Sequence, residues 1–327
     1  MNCKFFFNIL FMQNKKIVIL GTGGTIAGVA SQTSNNIDYT AAQVGVSDLV
    51  GAIEGLNLIE TEQVAQIDSK DMSFEVWTAL ANRIQHHLTQ NDVQGVVVTH
   101  GTDTLEETAY FLQAVLNPSK PVVLTCAMRP ASALAPDGPQ NILDAVTVAR
   151  HEGAHGVMVV CAGDLHSALE VQKIHTYQLN AFGSGDAGLI GFIEENTLNR
   201  VKNWPLTQQI RAQSATENIA ILNALKAWPK VEIVMNYAGA NGALVDALVA
   251  QGVQGLVVAG TGNGTVHIAL QEALLNAQAK GILVVRATRC TQGRVLPRVD
   301  DRFPSSNGLS PVKARIELML KLMKITS

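Results

Sequence analysis

The run Ile17-Val-Ile-Leu-Gly-Thr-Gly-Gly-Thr-Ile26 constrains the fold more than any other stretch of this chain. β-Branched and apolar residues stop abruptly at three glycines and two threonines, which reads as a buried strand delivering a loop to the end of a sheet. Glycines let the backbone turn tightly and approach a ligand closely. Thr22 and Thr25 thereby place hydroxyls beyond the carboxyl end of a strand, where open α/β sheets bind their ligands. A second run, Val96-Val-Val-Thr-His-Gly-Thr-Asp-Thr104, ends in the same way, with hydroxyls beside a carboxylate. Two such endings in one sheet bring Thr25, Thr102 and Asp103 together.

The remaining pattern predicts that sheet. Residues 96–99, 121–125 and 156–161 are apolar on both faces, as central parallel strands are. Between them, 73–90, 104–116 and 138–151 carry helical spacing, and Ser73 stands as a cap before the first. The β-α-β-α order predicts a doubly wound, mostly parallel sheet with right-handed crossovers over residues 15–203. Residues 204–228, with Pro205, Gln208, Gln209, Gln213 and Ser214, read as a connection. A second alternation through 231–235, 244–250, 256–259, 266–277 and 282–286 predicts a smaller α/β domain over 229–327. Residues 1–14, with Lys4 before Phe5-Phe-Phe-Asn-Ile-Leu-Phe-Met12, resemble the start of a signal peptide, but no small-x-small cleavage site follows. They are expected to be an uncleaved extension, or to precede a start at Met12. That favours the cytoplasm, with periplasmic export the alternative.

Composition excludes several function classes. The 327 residues are 47% hydrophobic, enough for a large core, and carry a scattered net charge of −3. No basic stripe suits nucleic acid or an anionic membrane, and no run reaches the roughly 18 apolar residues that span a bilayer. Cys3, Cys126, Cys161 and Cys290 show no C-x-x-C spacing. Cys126 and Cys161 each end an apolar run and read as free buried thiols, with a disulfide the alternative. The glycine loop fails as a nucleotide site: Gly21 and Gly23 fit the dinucleotide fingerprint, but Ile26 takes its last position, and no Gly-Lys-Ser/Thr is present. No cofactor and no metal are expected.

Lone threonines after strands are usually helix caps. Thr25 stands out as a nucleophile through its company, because a threonine hydroxyl needs a base or a strong hydrogen-bonding network. In His100-Gly-Thr-Asp-Thr-Leu-Glu-Glu-Thr108, Asp103 or Thr104 can open a helix with Glu106 and Glu107 in its first turn. Asp103 can also hold a substrate ammonium while Thr102 works on the reacting group. Ser69 and Lys70, before a helix, suit a carboxylate, or form a turn capped by Asp71 or Ser73. Lys173 beside Thr102 and Asp103 would make a Thr-Lys-Asp triad. Tyr39 follows the polar stretch 31–36, which reads as a lid. A non-catalytic sensor of an acidic amino acid and a nucleotide-dependent oxidoreductase are the competing readings.

In this order the pieces resemble the bacterial-type L-asparaginases, or glutaminase-asparaginases. The resemblance rests on Gly21-Thr-Gly-Gly-Thr-Ile-Ala27, Tyr39-Thr40, Asp68-Ser-Lys-Asp-Met72, Thr99 through Tyr110, Ala127-Met-Arg-Pro130 with Asp137-Gly-Pro139, Lys173 and Gly260-Thr-Gly-Asn-Gly264. The Ala127-Met-Arg-Pro130 form is similar to the type II subgroup. The resemblance implies hydrolysis of asparagine to aspartate and ammonia, with Thr25 attacking the side-chain amide and Tyr39 assisting. It implies Thr102, Lys173 and Asp103 as a second catalytic group. Ser69, Lys70, Thr102, Asp103, Ala127 and Asn263 would bind substrate, Asn263 across a subunit boundary of a homotetramer, a dimer of dimers. A related amidase acting on a transfer RNA complex shares these motifs, usually behind an extra N-terminal domain. Two departures stand out. An acidic residue expected after Gly293 is missing, with Arg294 and Arg298 in that region, and Lys70 replaces a common glutamine. The absence of the cysteine pair of some exported members fits the cytoplasmic reading.

Overall fold

The computed structural model describes residues 15–205 and 213–325, so the expectations for residues 1–14 lie outside the described residues. The chain divides into two compact units, Met1–Gln209 and Ile210–Ser327.

The first unit opens with β1 (Lys16–Gly23), a two-residue pair β2 (Val29–Ala30) and β3 (Tyr39–Thr40), and the short helix α1 (Val46–Gly51). There follow β4 (Ile59–Ile67), α2 (Phe74–Leu88), β5 (Val93–Thr99), α3 (Leu105–Leu116), β6 (Pro121–Thr125), α4 (Gly138–Arg150) and β7 (Gly156–Cys161). The unit closes with β8 (Asp164–Ser167), the pair β9 (Gln172–Lys173) and β10 (Phe182–Gly183), β11 (Gly191–Glu194) and β12 (Thr197–Arg200). Eight of these strands form one sheet in the order β12-β11-β8-β7-β6-β5-β1-β4. The five from β7 to β4 are mutually parallel; β8, β11 and β12 extend the sheet antiparallel.

The apolar runs explain the centre. β5, β6 and β7 are buried almost throughout because helices cover both faces. Ile17, Ile19, Val97, Val123, Met158 and Val160 share a core cluster with Ile142, Ala145 and Ala149 of α4 and with Val46 and Val50 of α1. The alternate residues Val18, Leu20, Val96, Val98 and Leu124, fully buried too, face the other way by the period of two. α2 starts at Ser73, whose hydroxyl accepts from the Val76 amide, and is stacked onto α3 through Trp77 and Phe111, with ring centroids 4.9 Å apart.

The second unit carries α5 (Ala215–Ala224), β13 (Val231–Met235), α6 (Ala243–Ala250), β14 (Gly255–Gly260), α7 (Ile268–Ala279), β15 (Leu283–Thr288) and α8 (Pro311–Leu322). Its three strands form a parallel sheet in the order β13-β14-β15. The stretch expected to be a plain connection thus holds a helix. α5 is started by a capping box in which Ser214 and Glu217 each bond the other's backbone amide. That Ser-x-x-Glu spacing was legible in the sequence. Among the described residues, no helix is long and apolar enough to cross a membrane.

Candidate active site

The carboxyl ends of β1 and β5, adjacent in the sheet, supply the first groups. Thr22 does not face a ligand: its hydroxyl donates to the Thr99 carbonyl at 3.0 Å and ties the two strand ends together. Gly24 then takes φ +84° and caps a 3-10 turn, Thr25–Ala27, without a side-chain bond. A methyl group built on Gly24 would overlap Cα and N of Gly101, and one on Gly101 would meet the Ser69 hydroxyl. Two glycines in backbone contact therefore hold together the loops that carry Thr25 and Thr102, each one residue further on.

Thr25, only 8% exposed, has its hydroxyl 2.6 Å from the Tyr39 hydroxyl. Lys173 enters from β9. Its ammonium donates to Thr102 Oγ1 at 2.8 Å and to Asp103 Oδ1 at 2.7 Å, while its backbone amide donates to Glu106 Oε1 at 3.4 Å. The Lys173 side chain is 19% exposed and that of Asp103 54%, so Asp103 reaches solvent while Thr102 stays enclosed. Lys173 occupies an acceptor position on Thr102 Oγ1, and the Thr102 hydroxyl itself donates to Asp103 Oδ1 at 3.5 Å. Ser69 is buried, and its hydroxyl accepts from the Asp103 amide at 3.2 Å, which leaves its proton for a ligand. Thr104 stands at the N-cap of α3 but does not cap with its side chain; its hydroxyl donates to the Ser69 carbonyl at 2.7 Å. The motif that reads as a helix start thus also fastens the loop of Ser69 to that of Asp103.

The other candidates sit differently. Lys70 bonds Asp68 at 2.9 Å and Asp71 at 3.0 Å, and these carboxylates hold its ammonium above the usual lysine range. Ala127 is fully buried, main chain included, with its methyl in the core. In the second unit, the Asn263 amide is paired both ways with Leu296, donating to its carbonyl at 3.1 Å and accepting from its amide at 2.7 Å. Cys126 and Cys161 are free buried thiols 3.7 Å apart; the hydrogen bond with Cys161, and then burial, push the Cys126 thiol well above its ordinary value. Among the described residues no cluster suited to a metal ion occurs.

Sequence reasoning missed the support beneath Thr102. His100 is fully buried, with Nδ1 2.7 Å from the Gly101 carbonyl and Nε2 2.9 Å from Thr108 Oγ1. The carbonyl can only accept, so Nδ1 carries the proton and Thr108 donates to Nε2. Trp77 Nε1 in turn donates to Thr108 at 2.9 Å. The only signal was a histidine ending an apolar strand. Burial lowers its pKa from 6.5 to about 4. The unfolded chain therefore takes up this proton first as pH falls. The stability that neutral His100 contributes is whole above pH 6.5 and erodes between 6.5 and 4, by up to about 3 kcal/mol. Urea unfolding at pH 7 and pH 4.5 should show a larger loss for the natural protein than for His100→Asn; equal losses would remove His100 as the cause.

With this geometry in view, the relatives are informative. Residues 16–205 match the family model described as Asparaginase, N-terminal. Residues 230–327 match the Glutaminase/Asparaginase C-terminal domain. The chain is 38% identical to L-asparaginase 2 of Bacillus subtilis over 316 residues, covering 94% of this chain and 82% of the relative. It is also 38% identical to L-asparaginase 2 of Escherichia coli, covering 94% of this chain and 88% of that one. The crystal structure of a probable cytoplasmic L-asparaginase from Campylobacter jejuni superposes with a TM-score of 0.88 at 38% identity, covering 95% of both chains. Both family models in sequence order, and relatives of this identity over nearly the whole chain, place the protein in the asparaginase family.

Proposed function

We propose that the protein hydrolyses the side-chain amide of L-asparagine to L-aspartate and ammonia through an acyl-enzyme on Thr25. The observation that carries this reading is the Lys173 ammonium bonded to both Thr102 and Asp103, on a loop whose glycine touches the loop of Thr25. The Thr25 oxygen attacks the amide carbon and Tyr39, 2.6 Å away, relays its proton. The C–N bond breaks, the nitrogen leaves as ammonia, and an ester on Thr25 remains. Water, oriented by Thr102 with Lys173 and Asp103, then cleaves the ester to aspartate and restores the hydroxyl. Ser69 donates to the substrate carboxylate and Asp103 accepts from its ammonium. Lys70, Ala127 and, from a neighbouring subunit, Asn263 complete the binding set. No cofactor takes part.

Weaker hydrolysis of glutamine belongs to the same proposal, since one more methylene in the substrate is worth only about 1–3 kcal/mol of discrimination. Self-association as a homotetramer is supported by α6, which packs Val245, Leu248 and Val249 against the core and leaves Leu244 exposed. A cytoplasmic location is supported by the free thiols of Cys126 and Cys161 and by the name of the Campylobacter relative; a periplasmic location is the outcome that cell fractionation would have to exclude. The deciding experiment is steady-state ammonia release from L-asparagine and L-glutamine side by side, with light scattering on the same sample. The proposal expects asparagine to be preferred, by a particle of four chains. Aspartate binding without ammonia release from either amide would favour the sensor reading instead, and a monomer would end the shared-site assignment of Asn263.

A further inference from the structure

We infer that Ser132 is a positioning residue for Tyr39, acting through the β2–β3 pair; the inference rests on the role proposed above for Tyr39. The pair carrying Tyr39 is two residues deep on each side, with Val29 opposite Thr40 and Ala30 opposite Tyr39. A ladder that short does not hold its own shape in water, so the position of the Tyr39 hydroxyl must be fixed from outside. Backbone bonds from Ala42 to Gly24 and from Gln43 and Val44 to Ala27 hold the chain just after β3, and two bonds from the loop after β6 hold the β2 side. The Ala30 amide donates to Ser132 Oγ at 2.7 Å, and the Leu134 amide donates to the Thr33 carbonyl at 2.9 Å. The first fastens the residue directly across the ladder from Tyr39. On the other side the Tyr39 ring lies against Gly28, where an added methyl would come 2.8 Å from Cδ2.

The loop that provides these bonds is itself well anchored. The Asp137 carboxylate accepts from the Met128 and Arg129 amides, both at 2.9 Å. Asn141 donates to the Cys126 carbonyl at 2.8 Å and accepts from the Ala162 amide at 3.0 Å. Ala127, a candidate substrate contact, begins the same loop. One segment therefore carries both a candidate substrate contact and the hydroxyl that holds the strand paired with Tyr39. Of the two fastenings, only the one through Ser132 depends on a side chain, so substitution can remove it alone.

The test compares Ser132→Ala and Ser132→Thr with the natural protein by hydrogen exchange over residues 29–40 and by steady-state kinetics on L-asparagine. Loss of one hydrogen bond should speed exchange of the Ala30 amide and lower kcat, each by about fivefold. KM and the melting temperature should stay near their original values, and Ser132→Thr, which keeps the acceptor, should restore both readings. Unchanged exchange in Ser132→Ala would overturn the inference whatever happens to turnover. Faster exchange with unchanged kcat would overturn the link to Tyr39. Exchange reads the fastening even in a protein that releases no ammonia, so failure of the proposed activity remains distinguishable from failure of this inference.

Discussion

Thr25→Ala should lower ammonia release from L-asparagine by at least about 10³-fold, because an alanine has no oxygen with which to form the ester. No neighbour is arranged to replace it. Thr22 is committed to the Thr99 carbonyl and Thr102 to Lys173. The fold should tolerate the change. The Thr25 hydroxyl bonds to Tyr39, and its loss should cost about 1 kcal/mol of stability or less. The decisive measurement is rapid acid quench of the natural protein during turnover, followed by peptide mass analysis. An aspartyl ester on the peptide containing Thr25 is expected. The ester on any other side chain, or wild-type turnover in Thr25→Ala, would rule out the assignment.

Lys173→Met should slow turnover by about 10²- to 10⁴-fold, the usual size of a general acid–base contribution. Methionine keeps much of the aliphatic length but leaves Thr102 Oγ1 and Asp103 Oδ1 without their shared cation. Stability should change little. The Asp103 side chain is more than half exposed, so water can solvate its carboxylate, and pairs of this kind contribute about 0–1 kcal/mol. Lys173→Arg should not restore the rate, since a planar fork cannot reproduce one ammonium reaching a hydroxyl and a carboxylate together. Unimpaired turnover in Lys173→Met, with an unchanged melting temperature, would remove the triad role.

The parallel sheet was legible because β5, β6 and β7 are apolar on both faces, rich in valine and too short for helices. The same held for β1, whose apolar run breaks at Gly21. The cluster of Thr102, Asp103 and Lys173 was half legible: the first two share a motif, whereas Lys173 sits on a two-residue strand with no pattern of its own. Helix α5 was missed although its capping box was present, because the glutamines and proline just before it suggested a bare connection. His100 was missed because a buried imidazole in a strand run has no periodic signature; only the depth of burial and its two partners reveal its task. A motif places Lys70 without telling its partners: its ammonium pairs with Asp68 and Asp71, which flank it almost directly in sequence.

The touching backbones of Gly24 and Gly101 have a consequence for anyone wishing to retune this scaffold. The floor beneath the reacting groups is made of missing atoms, so it offers no place where a larger or smaller side chain could be traded for a new preference. Variation has to enter from the rim, through residues such as Lys70 and Ser132, whose side chains end in removable bonds rather than in a fixed approach of two main chains.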